Sequence, residues 1–331
     1  MARVSIILPN RNHATELRTA LEAIAGQTRA PDEVILIEDA STDESLAVID
    51  SYRARLGPLK LLRNDKRQGV ARAVQRGIEA ATGDYILLAS ADEKLAPDAC
   101  RTLAEVADSF PDAKLIVSQF AEWWPAERRV RVHGRESDLG MWYVEGEAAR
   151  FITPEQFRRF LRRRFVWLAA NTALIRRDVL LEVGGFDPRL EWHSDWFALY
   201  AIAFRHGFCA VPRSLAWFRV ASDSYSMRGM RDARAQRKVA LEIQRKLRTP
   251  AFRDIDAAVM AAPAAMSTFM RATLLALAAR PRWYGRLGRL ACWWLGQFLL
   301  GRRPAAWSRL LRRIGGRSER SEDHARLDGQ A

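Results

Sequence analysis

The residues in this 331-residue chain with the types and spacing to do chemistry are carboxylates at the ends of apolar runs. In Gly83–Leu95, GDYILLASADEKL, the run Tyr85–Ala89 reads as a buried strand that delivers Ser90, Asp92 and Glu93 at its carboxyl end. In an open α/β sheet, ligands bind in the crevice beyond such strand ends. Two acidic groups there suit a hard divalent cation that holds a diphosphate. A second pair, Glu38 and Asp39, closes the run Glu33–Glu38 and enters Ala-Ser-Thr-Asp. Carboxylates in that place accept hydrogen bonds from a base N–H or a ribose hydroxyl; the competing reading is that Asp39 caps the turn that follows.

Alternating strands and helices must position these acids. Val4–Leu8 is an apolar strand stopped by Pro9-Asn10, and a helix from about Thr15 places Leu17, Leu21 and Ile24 on one face. Glu33–Glu38 is the second strand; Leu46, Ile49 and Tyr52 mark the second helix, with Ser41 or Thr42 as its cap. Lys60–Arg63, a helix striped by Val70, Val74, Ile78 and Ala81, the strand Tyr85–Ala89, a helix opened by Pro97 and the strand Leu115–Val117 follow. This β-α repeat predicts a mostly parallel sheet with right-handed crossovers.

After it, Phe120–Arg150 reads as an insertion over the sheet edge, Pro154–Arg164 as a basic helix, Leu168–Ile175 as a strand and Arg177–Val183 as a short helix. Gly184–Asp187, GGFD, is a turn, and Asp195–His206 is helical. The organisation expected is a domain over 1–230, with halves 1–118 and 119–230, then a helical basic and aromatic extension over 231–316 and a disordered tail over 317–331.

The net charge of +14 is concentrated late, since Pro281–Arg317 holds nine Arg and no Asp or Glu. Such a block points to anionic partners: nucleic acid, anionic lipid or a phosphorylated substrate. Three cysteines without paired spacing give no disulfide framework or zinc motif. The start, MARVSIILPN, reads as a strand rather than a signal peptide, and the expected location is cytoplasmic. Val259–Ala279 approaches the roughly 20 residues of a bilayer span, but it is Ala-rich and carries Arg271. Trp283–Leu300 mixes Arg286 and Arg289 with Trp293 and Trp294, a composition suited to the headgroup boundary. Peripheral association with an anionic membrane surface, a helical cap and a true span are the three readings of this tail.

The ordered blocks VSIILPNRNHA, EVILIEDASTDES and QGVARAVQRGIEAATGDYI, followed by Ser90-Ala91-Asp92-Glu93, resemble the family 2 glycosyltransferases, which have the GT-A fold. The resemblance runs from about Val4 to about Gly207. It implies a GT-A Rossmann-like α/β domain, with the C-terminal helices as an extension. It also implies a nucleoside diphosphate sugar donor and a divalent metal, Mn²⁺ or Mg²⁺. Asp92 falls on the usual metal-ligating carboxylate, the competing reading being a surface loop with a capping Asp; Ser90 replaces the first acid of the family's Asp-Ala-Asp-Asp and is left to hydrogen-bond ribose or to leave a water ligand on the ion. Pro9, Arg11, Glu38 and Asp39 fall on nucleotide-contacting positions. Many relatives have Arg-Asn in the third helix, where this chain has Val74 and Gln75; Arg72 is the nearby candidate for phosphate or base, or else a solvated helical Arg.

Trp192-His193-Ser194-Asp195-Trp196 resembles the family's Glu-Asp pair before an aromatic residue, which places Asp195 on the catalytic base and Ser194 on the pair's first acid. A helix N-cap is the other role open to Asp195. Trp192 and His193 are acceptor or base-tuning candidates, with packing the alternative for His193. Arg219 falls where relatives often place a basic or His residue near the diphosphate; it or Arg228 is the candidate phosphate clamp, with loop surface charge the alternative. The QxxRW motif of processive synthases is absent, which favours single additions.

The expected activity is inverting transfer of a sugar to a hydroxyl of a glycan or lipid-linked acceptor, of surface-polysaccharide type. The alternative is a catalytically degenerate nucleotide-binding or scaffold protein on the same fold. No recognition motif supports nucleic-acid binding, and the turn PNRNHA lacks the glycine fingerprint of a dinucleotide-binding dehydrogenase.

Overall fold

The computed structural model describes residues 1–124, 129–133, 146–162, 165–220 and 224–299. The N-terminal part alternates β1 (Val4–Asn10), α1 (Ala14–Ala25), β2 (Glu33–Glu38), α2 (Ser45–Tyr52), β3 (Leu59–Arg63), α3 (Val70–Ala80), β4 (Tyr85–Leu88), β5 (Lys94–Leu95), α4 (Ala99–Ser109) and β6 (Leu115–Ser118). Then come β7 (Ala121–Trp124), β8 (Arg129–Val132), β9 (Arg150–Ile152), α5 (Pro154–Leu161), β10 (Ala173–Arg176), α6 (Arg177–Glu182), α7 (Ser194–His206), β11 (Phe208–Val211) and β12 (Ala216–Arg219). Five helices follow: α8 (Tyr225–Arg231), α9 (Ala233–Leu247), α10 (Arg253–Ala261), α11 (Met270–Ala278) and α12 (Tyr284–Leu299).

Eight strands form one sheet in the order β3-β2-β1-β4-β10-β6-β11-β9. The first four are parallel, β10 runs antiparallel between β4 and β6, and β9 is an antiparallel edge. The chain steps outward from β1 to β2 and β3, then returns to β4 on the other side of β1. A crevice therefore opens beyond the carboxyl ends of β1 and β4.

The pleat sorts the core. Ile6 and Leu8 of β1 and Leu36 of β2 face one side with Leu17, Leu21 and Leu103 of α1 and α4. Ile7, Ile35 and Ile37 face the other side with Val74 and Ile78 of α3 and Phe197 of α7. Val239, Ile243 and Leu247 of α9, Val259 of α10 and Met270 of α11 belong to this second core, so the C-terminal helices complete one face of the sheet.

Several expectations need correction. Phe120–Arg150 contributes strands β7 and β8 to a second sheet, ordered β5-β12-β7-β8, rather than forming an irregular insertion throughout. The strand expected from Leu168 begins only at Ala173; Leu168 and Ala169 are apolar because they pack in the core beside a cleft, and Ala170–Thr172 is a 3₁₀ turn. Neither Ser41 nor Thr42 caps α2. The Ser41 hydroxyl accepts from Asn12 N at 3.0 Å, and Thr42 N donates to Asn12 Oδ1 at 2.8 Å, which ties together the loops after β1 and β2.

Asp195 is not an N-cap, since α7 begins at Ser194 with His193 ahead of it. Val259–Ala279 is broken at Ala262-Pro263, and no helix among the described residues is long and apolar enough to cross a membrane. Arg286, expected at a headgroup boundary, is buried instead: it contacts Asp256 at 2.6 Å and donates to Gln244 Oε1 at 2.5 Å. The tail over 317–331 lies outside the described residues.

Two devices fix the segment that leads into α7. Gly185 takes φ 60°, and a Cβ there would meet Gln75 Oε1 at 2.1 Å, so only glycine lets the turn press on α3. Gln75 Oε1 accepts from Phe186 N at 2.8 Å. Next to this turn, buried Asp187 accepts from Arg189 at 2.8 Å and from Lys246 of α9 at 3.0 Å. Burial pushes the Asp187 carboxyl up, but the hydrogen bonds from Arg189 and Lys246 outweigh it and hold the group well below the usual carboxylate range. Lys246 also lies 4.7 Å above the Phe197 ring.

Lys246→Met is expected to cost about 2–3 kcal/mol in chemical denaturation, because Asp187 is left buried with only the exposed Arg189 as partner. The stability that the Asp187 contacts contribute is present above the unfolded-state value near pH 4 and lost as pH falls below it. The mutant should therefore show a shallower acid dependence than wild type.

Candidate active site

A cleft of about 880 Å³, open mouth included, lies beyond the carboxyl ends of β1 and β4. Pro9 of β1, Val70, Ala71 and Val74 of α3, and Leu88 to Ser90 with Glu93 form one wall. Trp167 to Asn171, Glu191, Trp192, Ser194 and Asp195 form another, and Phe120, Phe218, Tyr225 and Ser226 border it. Of the residues predicted from sequence, Pro9, Ser90, Trp192 and Asp195 are brought together here.

Asp195 sits in the first turn of α7, where the helix N-terminus favours a negative charge. Its Oδ1 accepts from Trp196 N at 2.7 Å. Burial pushes its carboxyl up to about 6, the range in which a carboxylate both ionises near neutral pH and holds a proton well. The turn cannot drift: Trp196 Nε1 donates to Ala265 O at 3.1 Å, and its ring packs edge-on against Phe269. His193 is a packing residue. It is buried, its Nε2 lies 3.1 Å from Gln236 Oε1 and its ring is 4.7 Å from Phe269. Burial pushes the imidazole down to about 4, so it is neutral at physiological pH. Gln236 also accepts from Trp192 Nε1 at 3.3 Å.

Next in sequence to Glu93 of the opposite wall, but not itself among the residues that line the cleft, Asp92 is about a quarter exposed, with Arg219 Nη1 at 3.6 Å from its Oδ2; the same nitrogen is 3.7 Å from Glu16. Glu93 accepts from Asn171 Nδ2 at 2.9 Å. Burial, helped by the Asp92 charge, pushes the Glu93 carboxyl up to about 8. Among the described residues no group of three or more His, Cys, Asp or Glu side chains is arranged as a metal cage.

At the end of β2 the two carboxylates are occupied. Glu38 Oε1 accepts from Ser41 N at 2.8 Å. Asp39 accepts from Asn64 Nδ2 and Gln68 N, both at 2.7 Å, and from Gly69 N at 2.8 Å. Asp39 thereby pins the loop that opens α3, a different loop from the one whose turn it was expected to cap. Arg11 is half-buried, and its Nη1 lies buried with no hydrogen-bond partner among the described residues. Arg72 is exposed and outside the cleft lining, and apolar Val74 takes the wall instead. Asn171, Glu191 and Tyr225 were not expected from sequence: each reaches the cleft from an irregular segment or a short helix with no periodic signal.

The glycosyl transferase family 2 model matches residues 5–182, more than half of the chain. A PGL/p-HBAD biosynthesis glycosyltransferase of Mycobacterium tuberculosis is 39% identical over 103 residues, 31% of this chain and 40% of that protein. The chain thus spans well under half of that relative's length. S. aureus TarS 1–349, solved in complex with UDP-GlcNAc, matches with a TM-score of 0.56 and 14% identity over 88% of each chain. The mannosyltransferase PcManGT of Pyrobaculum calidifontis, solved with GDP-Man and Mn²⁺, matches at 0.52 and 20% over 93% of this chain and 84% of that one. The fold is therefore the GT-A arrangement of these enzymes, and the chain belongs to glycosyl transferase family 2.

Proposed function

We propose that the chain is an inverting glycosyltransferase that moves a sugar from a nucleoside diphosphate donor to a hydroxyl of a glycan or lipid-linked acceptor. The observation that carries this reading is Asp195, a carboxylate in the cleft with its pKa raised to about 6. As the acceptor oxygen attacks the anomeric carbon, Asp195 takes its proton and the bond to the diphosphate breaks, a single displacement with inversion. Arg11, with a buried N–H that has no partner among the described residues, and Arg219 supply donors for the diphosphate and nucleotide. Pro9 and Ser90 border the donor side of the cleft, and Trp192 the acceptor side. Glu38 and Asp39 act on the nucleotide by shaping the loops around it.

The donor set fits a divalent ion held jointly with the substrate diphosphate. Asp92 is partly exposed, its charge contact among the described residues is a long one with Arg219, and such ions are commonly held by one or two carboxylates plus phosphates. When bound there, Mn²⁺ or Mg²⁺ neutralises charge on the departing nucleoside diphosphate. A degenerate nucleotide-binding scaffold is the second reading, favoured by Ser90, Ser194 and the occupied Asp92.

Membrane docking is a separate part of the proposal. The exposed residues of α12, including Tyr284, Arg289, Cys292 and Leu295, lie on one face of the helix. This apolar and basic face supports peripheral binding to an anionic surface on the cytoplasmic side. In flotation with phosphatidylglycerol vesicles, Arg289→Glu combined with Leu295→Glu should abolish the binding seen for wild type. Equal flotation contradicts the docking face.

Asp195→Asn should lower transfer by at least about 10³-fold while nucleotide binding survives. The kcat/KM of wild type should fall as pH drops below about 6, where Asp195 takes up its proton. The sign for stability is opposite. A carboxyl raised above its unfolded value penalises the folded state as pH rises through about 4 to 6, so the Asn variant should unfold no lower than wild type at pH 7. Near-normal turnover of Asp195→Asn would remove the base assignment, whereas nucleotide binding without any turnover in wild type would favour the scaffold.

A further inference from the structure

Glu191 lines the cleft in a backbone conformation that glutamate avoids. Its φ of 49° and ψ of −125° interrupt the 3₁₀ turn Pro188–His193. That region is favoured by glycine and costly for a residue with a Cβ, and such strain persists only where the surroundings over-determine it. The surroundings do so here. The Glu191 carbonyl accepts from the Ser194 hydroxyl at 2.8 Å and from the Ser194 backbone N–H, and its Oε2 accepts from the Tyr225 hydroxyl. Its other carboxylate oxygen, Oε1, makes no hydrogen bond among the described residues. A glycine would close the same turn without strain, so the side chain is what the strained geometry retains.

We propose that Glu191 is the acceptor-binding carboxylate of this chain. Its free oxygen accepts a hydrogen bond from a second hydroxyl of the acceptor sugar while Asp195 deprotonates the attacking one. Ser194 stands where the first acid of the pair would be, and its hydroxyl now holds the backbone of the carboxylate three residues upstream. Trp192 and Tyr225, with ring centroids 6.1 Å apart and nearly perpendicular, border the same wall and give the sugar an apolar face to lie on. The ligand class is a polyol with neighbouring hydroxyls, that is, a glycan rather than a lone lipid hydroxyl. This inference rests on the glycosyltransferase reading above.

Glu191→Gly and Glu191→Ala both remove the carboxylate, and only the glycine relieves the backbone. Full-length wild type and both variants would be compared by thermal unfolding, with and without UDP and GDP. They would also be compared by nucleoside diphosphate release from UDP- and GDP-sugars, with and without a panel of octyl glycosides. The Gly variant is expected to unfold about 2 °C or more above the Ala variant. Both should keep the stabilisation that nucleotide gives wild type. The glycoside-dependent kcat/KM should fall about 10–100-fold, mainly through the KM for glycoside, with Glu191→Gln recovering part of it.

A glycoside kcat/KM within about twofold of wild type in both variants, well inside the loss expected of one hydrogen bond to a charged group, overturns the proposal. So does a Gly variant no more stable than the Ala variant. If wild type shows nucleotide stabilisation but no glycoside-dependent release, glycan recognition is contradicted while donor binding stands. If it shows neither, the glycosyltransferase reading itself fails.

Discussion

The buried contact between Asp187 and Lys246 is the joint on which the rest of the site depends. It ties the turn after α6 to α9, and everything that follows in sequence, from the strained Glu191 to Asp195, hangs from that turn. The charges are nearly removed from water, so the pair carries a desolvation cost that only close hydrogen-bonded geometry offsets. Such a contact tolerates little displacement and therefore transmits position. Gln236, ten residues earlier on α9, holds Trp192 and His193 through its side-chain oxygen, and Ala265 receives Trp196. The C-terminal helices thus form the rear support of the acceptor wall.

The two walls of the cleft use burial differently. On one, Asp195 sits in the first turn of a helix, where desolvation is the largest cause that raises its pKa, and its charge in turn helps to push Glu93 up. On the other, Glu93 lines the cleft, pushed up and bonded to Asn171, while its neighbour Asp92 lies outside the lining, partly exposed opposite Arg219. In the proposed reaction the first wall handles the proton and the second handles the phosphate charge.

Much of the frame was legible in the sequence because it follows from period. The strands Val4–Asn10, Glu33–Glu38 and Tyr85–Leu88 are apolar runs between turn signals, and their order forces the crevice at the β1–β4 switch. The position of Asp195 and Ser90 on that crevice was legible from motif spacing. Their neighbours were not. Asp39 carries a carboxylate suited to a nucleotide, yet three donors from a loop some 25–30 residues later occupy it, a long-range pairing that no local pattern announces. Arg286 looked interfacial because Arg and Trp share its helix, but tertiary pairing with Asp256 and Gln244 took it inside. Glu191 gave no signal at all, since backbone strain is a property of closed turns and not of composition.

The central claim is that this cleft binds a nucleoside diphosphate through an ion at Asp92. Its most direct test is thermal unfolding of wild type and Asp92→Ala against UDP, GDP and dTDP and their sugars, with Mn²⁺, Mg²⁺ or EDTA. A ligand at about 100 times its dissociation constant stabilises by roughly 2.7 kcal/mol. The account expects a rise in the unfolding temperature with one nucleotide class, dependent on metal and lost in Asp92→Ala. A well-folded wild type that responds to no nucleotide under any metal condition would contradict it.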